Sequence, residues 1–171
     1  MKGLPRSRAR GSKVASPIVK ANIRLALTMT TTDAGAAGAW GTAVVGDFPD
    51  GNILLLGAVL SNIKLVKGSA ALIDAFVATL AVGAAPTADA TLNGAEVNIV
   101  PATAQSAATT GTLTGGRAAS TGTESGVVLD NTDGSLELNL NASLPDASST
   151  GNSSLIITGV LHLSYIVLGD D

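Results

Sequence analysis

Between Ala21 and Met29 the chain keeps a strict period of two, with Ile23, Leu25, Leu27 and Met29 alternating with Asn22, Arg24, Ala26 and Thr28. That period sends successive side chains to opposite faces of a strand, one face toward a core and one toward solvent. The pattern returns at Leu72–Val82, where Phe76, Ala78, Leu80 and Val82 oppose Ala75, Val77, Thr79 and Ala81. It returns again at Ser135–Leu144, where Leu136, Leu138 and Leu140 face in and Glu137, Asn139 and Asn141 face out. Ile53–Leu60 is apolar on both faces apart from Gly57, which predicts a strand covered on both sides, by the core and by a neighbouring subunit. Ser61–Val66 continues it or forms the next short segment. Ser154–Leu168 reads as the long closing strand, and shorter strands are expected near Trp40–Val45 and over Ala95–Val100.

Turn chemistry separates these runs. Pro49 and Gly51 in the stretch Phe48–Gly51 supply the fixed and the permissive φ of a turn. Asp130–Gly134, flanked by Gly126–Leu129 and Ser135–Leu144, reads as a hairpin with Gly134 in the left-handed position. Thr30–Gly41, Pro145–Ser153 and the low-complexity stretch 102–125 are expected to be loops, the last without a core of its own. The outcome is an all-β chain: an antiparallel β-sandwich of about eight strands, for which a jelly roll is the commonest solution. Strand number alone does not separate it from an immunoglobulin-like sandwich, although the Trp–Cys pair of antibody domains is absent.

Charge divides the chain differently. The first 24 residues carry seven of its ten basic groups, Lys2, Arg6, Arg8, Arg10, Lys13, Lys20 and Arg24, and no acid. The remainder has Lys64, Lys67 and Arg117 against thirteen acids. Residues 1–20 are therefore expected to form a basic extended arm and residues 21–171 a β-sandwich domain. Pro5, Gly11 and Pro17 interrupt any amphipathic helix of the organelle-transit type, and the arm has no apolar run of the secretory type. No apolar stretch reaches the roughly 18–20 residues that span a bilayer, so no membrane partner is expected. Three roles fit the arm: counterion-releasing contact with nucleic acid, contact with an acidic protein surface through bidentate arginines, or solubilisation. The arm has no aromatic residue and the whole chain has four, Trp40, Phe48, Phe76 and Tyr165, which disfavours stacking on single strands and favours the protein surface.

The inventory for chemistry is small. There is no cysteine, and His162 is the single histidine, set between Leu161 and Leu163 in the closing strand, with no nucleophile and orienting acid to be nominated by spacing. It reads as a half-buried or interface histidine with its ring hydrogen-bonded. One histidine without cysteine does not make a good zinc site. Asp130–Gly134 with Glu137 departs from the EF-hand order and reads as a turn, and Thr114–Arg117 lacks the Lys-Ser/Thr of a phosphate loop. No catalytic, metal or cofactor-binding residue is nominated, and an enzyme is not expected.

The closing stretch Gly134–Asp170, with Gly134–Ala142 and Ser154–Asp170 as its arms, resembles the C-terminal hairpin of small tailed-phage virion proteins, and Phe48–Ala58 has the same character. The likeness is to head decoration, or cement, proteins. It implies a jelly-roll or sandwich body, often trimeric, on the surface of an icosahedral capsid and bound to the major capsid protein, with no catalytic residue to carry over. On that reading Lys2, Arg6, Arg8, Arg10, Lys13 and Lys20 form a capsid-contact arm. Ile53, Leu55, Val59, Leu161, Leu163 and Tyr165 are the expected self-association residues, since Ile53–Leu60 and Leu155–Leu168 are the elements with apolar surface to spare. A capsid-forming jelly roll with a genome-facing arm, or a fibre-tip receptor-binding module, are the alternatives.

Overall fold

A computed structural model describes residues 18–107, 116–117 and 128–169 of the chain. The expected arm positions Lys2, Arg6, Arg8, Arg10 and Lys13 lie outside the described residues, as do 108–115 and 118–127 of the expected long loop. Nine strands are described: β1 (Val19–Asp33), β2 (Ala39–Asp47), β3 (Asn52–Lys67), β4 (Val77–Gly83), β5 (Val100–Ser106), β6 (Gly116–Arg117), β7 (Val128–Leu129), β8 (Glu137–Leu144) and β9 (Ser153–Gly169). The helical segments among these residues are single 3₁₀ turns at Gly35–Ala37, Gly94–Glu96 and Asp146–Ser148.

Pairing identifies the fold. β1 pairs with β9, β2 with β8, β3 with β6 and β7, and β4 with β5, all antiparallel. These are nested pairs, the outermost strands joined first and the innermost last. Rolling such a ribbon brings β9 beside β3 and β8 beside β4, and both pairings are present. The products are two layers, β1–β9–β3–β6/β7 and β2–β8–β4–β5, which is the jelly roll rather than the immunoglobulin arrangement. The layers meet at one corner, where Thr32 and Asp33 of β1 leave β9 and pair with Trp40 and Ala39 of β2. Gly41 is required there, because a Cβ would press on the Thr30 carbonyl and the Met29 side chain. The Thr31 and Ser153 hydroxyls, both buried at this corner, bond each other.

The core lies between the layers. Leu25 and Met29 of β1, Ile53, Leu55, Leu60 and Leu65 of β3, and Leu155, Ile157 and Leu161 of β9 line one side. Ala78, Leu80 and Val82 of β4 with Leu138, Leu140 and Leu144 of β8 line the other. Each large aliphatic side chain so buried contributes about 1.5–3 kcal/mol. Phe48 packs edge-on against Tyr165, with ring centroids 5.5 Å apart, and closes the end of the roll where β3 begins.

Several expectations shift. β1 runs to Asp33 through the start of the expected loop, and Leu72–Phe76 precedes β4 instead of belonging to it. The strand expected over Ala95–Val100 begins at Val100: Asn93 and Glu96 form a reciprocal cap on the preceding 3₁₀ turn, and Pro101 is tolerated because β5 is an edge strand. The stretch from 102 is strand up to Ser106 and does contribute buried groups, Gln105 and Ala107. Gly134 has the expected positive φ, but Asp130–Gly134 does not close a hairpin: β7 pairs with β3 and β8 with β2 and β4, so the turn crosses between layers. Asn139 and Asn141, expected to face solvent, are buried.

Candidate interaction surface

The two layers have very different outsides. On β4 and β8 the outward residues Ala81 and Asn141 are fully buried, because the segment between β4 and β5 folds over them. Asn141 is the clasp. Its Nδ2 donates to the Ala85 and Glu96 carbonyls at 2.9 Å each, and its Oδ1 accepts from the Thr87 amide at 3.0 Å and the Thr42 hydroxyl at 2.8 Å. Gly83 is needed beneath this cover, since a Cβ would run into the Ala95 and Glu96 backbone.

No described segment covers the outside of β1–β9–β3. Its side chains fall in rows fixed by register: Asn22, His162 and Val59; Arg24, Val160 and Ser61; Thr28, Ile156 and Val66. Lys20 stands opposite Ser164, and Lys64 opposite Thr158. At the end where β3 begins, Leu54 pairs with both Ile166 and Val128. Leu56, Val128, Ile156 and Leu168 are exposed large apolar residues of this layer.

The charge on this face is one-sided. Lys20, Arg24 and Lys64 are exposed and form no ion pair with another described residue. No carboxylate occurs among the rows. The ion pair found among the described residues is at the layer's far end, where Lys67 Nζ donates to Asp74 at 2.8 Å and holds its carboxyl below the usual carboxylate range. Every basic residue described, including Arg117 in β6, belongs to the strands of this layer.

His162 sits at the middle of the face. Its Nδ1 is 2.6 Å from Asn22 Oδ1 and its Nε2 is 2.8 Å from Ser61 Oγ. The amide oxygen only accepts, so Nδ1 donates; in the neutral ring Nε2 then accepts from the Ser61 hydroxyl. The order hydroxyl, imidazole, orienting amide is that of a nucleophilic triad. Here the ring is exposed on a sheet face, and the orienting group is a neutral amide that does not offset an imidazolium charge. Acyl transfer also requires preorganised donors for an oxyanion and a wall that excludes water. The array acts as a brace tying β1, β9 and β3 together. The ring is hydrogen-bonded as expected of it, though exposed rather than half-buried.

Of the expected contact residues, Lys20 is exposed on this face and Val59 points outward from it. Ile53, Leu55, Leu161, Leu163 and Tyr165 instead lie inside the chain's own core, which removes them from any contact surface. These five occupy the inward face of β3 and β9, because one face of each strand is needed by the chain itself. The polar members Asn22, Arg24, Ser61 and Lys64 were not nominated. The signal available for Asn22 and Arg24 was their even spacing with Lys20 along β1.

Asp130 and Asp133 turn their carboxylates onto their own turn. Asp130 accepts from the Thr132 amide and hydroxyl, and Asp133 from those of Ser135, which lowers the Asp133 pKa. Among the described residues no three His, Cys, Asp or Glu side chains come together as metal ligands, and no helix is long and apolar enough to cross a membrane.

No protein-family model and no curated protein sequence matches the chain. Solved structures resemble it distantly. The capsid asymmetric unit of cyanophage Pam1 aligns with 90% of this chain and 87% of the matched chain, at 18% identity and a TM-score of 0.41. The structure of infectious bursal disease virus, Gx strain, aligns with 86% of this chain and 32% of the matched chain, at 11% identity and a TM-score of 0.37.

Proposed function

We propose that this chain is a non-enzymatic structural protein of a virus particle, a jelly roll that attaches to an icosahedral capsid and stabilises it. The observation that carries this reading is the uncovered outer face of β1–β9–β3, with apolar residues in rows, a rim of Lys20, Arg24 and Lys64, and no carboxylate among them. Outward apolar side chains interleaved with polar and cationic ones suit contact with another protein. Jelly rolls serve as capsid domains, lectins and cupins. A cupin site needs several histidine or carboxylate ligands and a sugar site needs exposed aromatic faces; this chain has one histidine, and of its four aromatics Phe48, Phe76 and Tyr165 are buried and Trp40 is half-buried. The shell-building use remains.

On this reading the partner is a major capsid protein, the location is the virion surface, and the basic segment 1–17 adds contacts where β1 begins. A trimer on a capsid symmetry axis would multiply modest contacts through effective concentration. Removing residues 1–17 should leave the melting temperature unchanged and weaken co-sedimentation with particles from the source lysate. Immunogold labelling of those particles tests the assignment itself: label on capsids is expected, and label confined to the soluble fraction would overturn it. The second reading, a capsid-forming jelly roll with its arm toward the genome, draws on the nested strand pairing and the acid-free arm. It predicts closed shells from the purified chain alone.

A further inference from the structure

We propose that copies of this chain associate head to tail, the outer face of β1–β9–β3 of one copy seating the acidic end of the next. The inference rests on the structural role proposed above and makes a second copy of this chain the occupant of that face, which leaves capsid attachment to the assembled copies and their basic segments 1–17.

The face is basic and acid-free, so its complement must be acidic and base-free. This chain carries such a surface where β2 ends and β8 begins. Asp47 and Glu137 are exposed and directly opposite each other in the β2–β8 register. Like charges so placed destabilise a sheet unless a cation joins them. Asp50, on the turn after β2, and Asp133, on the turn before β8, extend the surface; the two turns are locked together by Asn131, whose Nδ2 donates to the Phe48 and Pro49 carbonyls and whose Oδ1 accepts from the Leu136 amide. β2, β8 and these turns contain no basic residue. Among the described residues the face thus carries cations without an ion pair and the end carries anions without one.

The other occupants fit less well. Face-to-face pairing about a two-fold axis would set Lys20, Arg24 and Lys64 against their own copies. The chain's own segment 1–17 is basic and would be repelled by the face. A contact between two different surfaces is heterologous, and it builds rings or open arrays instead of stopping at a closed dimer. That is the behaviour a lattice component needs.

The test uses the full chain and sedimentation velocity over a concentration series. The wild type should self-associate at about 0.05 M salt and dissociate at about 0.5 M, where screening is strong. R24Q/K64Q and D47N/E137Q, each checked for folding by circular dichroism, should both associate about a hundredfold more weakly. Mixed together they should form one-to-one pairs that grow no further, because the intact acidic end of the first meets the intact basic face of the second. Failure of the mixture to pair, or undiminished association by either variant alone, would overturn the proposal. So would a wild type that stays monomeric at low salt. None of these results bears on immunogold labelling of capsids, so the two readings fail separately.

Discussion

The outer surfaces of the two layers were built by opposite strategies. On β2–β8–β4–β5 the chain covers its own sheet, laying the segment after β4 across Ala81 and Asn141 and fastening it with the four bonds of one asparagine. On β1–β9–β3 the described chain provides no such cover, and the layer keeps exposed Leu56 and Ile156 beside Lys20, Arg24 and Lys64, which form no ion pair among the described residues. A protein able to seal one sheet at the expense of a long connection has the means to seal the other. The difference teaches where to look for contact: the sealed side is finished, and the open side has apolar area available for something else to cover.

The sharpest way to break this comparison is to place the same charge on both sides. Ala81→Glu puts a carboxylate under the cover, where it has no cationic partner, and should cost about 3–5 kcal/mol or prevent folding. Val160→Glu, at the middle of the open face, should leave chemical denaturation within about 0.5 kcal/mol of the wild type while abolishing association. Equal losses of stability would mean the two sides are not distinct. Next in size, Asn141→Ala removes the clasp and strands its buried partners, for an expected loss of about 2–4 kcal/mol, since each buried group left unpaired costs about 1–3. Hydrogen exchange should then rise at Thr87 before it rises in β1 or β9.

His162→Ala is expected to do less. The brace is exposed, so the loss should be about 0.5–1.5 kcal/mol by urea denaturation, with β1, β9 and β3 still paired. A loss comparable to that of Asn141→Ala would mean the open face is as structural as the sealed one. The smallest effect is in acid. Lys67 lowers the Asp74 pKa, so the stabilisation from this pair is present at neutral pH and lost as pH falls through the folded value. Carboxyl titration by NMR should place the Asp74 midpoint below that of an ordinary aspartate, and Lys67→Met should return it to the ordinary range.

Much of this architecture was legible in the sequence, because a period of two names both the strand and its inner face. Ile23, Leu25 and Met29 in β1, and Leu138 and Leu140 in β8, point as the alternation requires. Pairing was less legible, since it depends on contacts between distant segments. Asp130–Gly134 has every local mark of a hairpin turn, yet joins strands in different layers because β3 and β2 had already claimed its flanks. The alternation sends Asn141 to solvent and marks Asn131 only as part of a turn; an asparagine is equally suited to satisfying buried backbone groups, and only the fold reveals which backbone comes near. The sequence reading reached the candidate surface at Lys20 and Val59 and fell on the wrong parity elsewhere. Ile53, Leu55, Leu161 and Leu163 looked available while their opposite face was unassigned, and the open neighbours Leu54 and Val160 carry the same chemistry.

The central claim of the proposed structural role is that the open layer, not the sealed one, is the side a partner covers. Lysine-reactive footprinting read by mass spectrometry, comparing the free chain with assembled particles, measures this directly at Lys20 and Lys64. Strong protection of both amines on assembly is the expected result. Amines as reactive in particles as in the free chain would contradict the account.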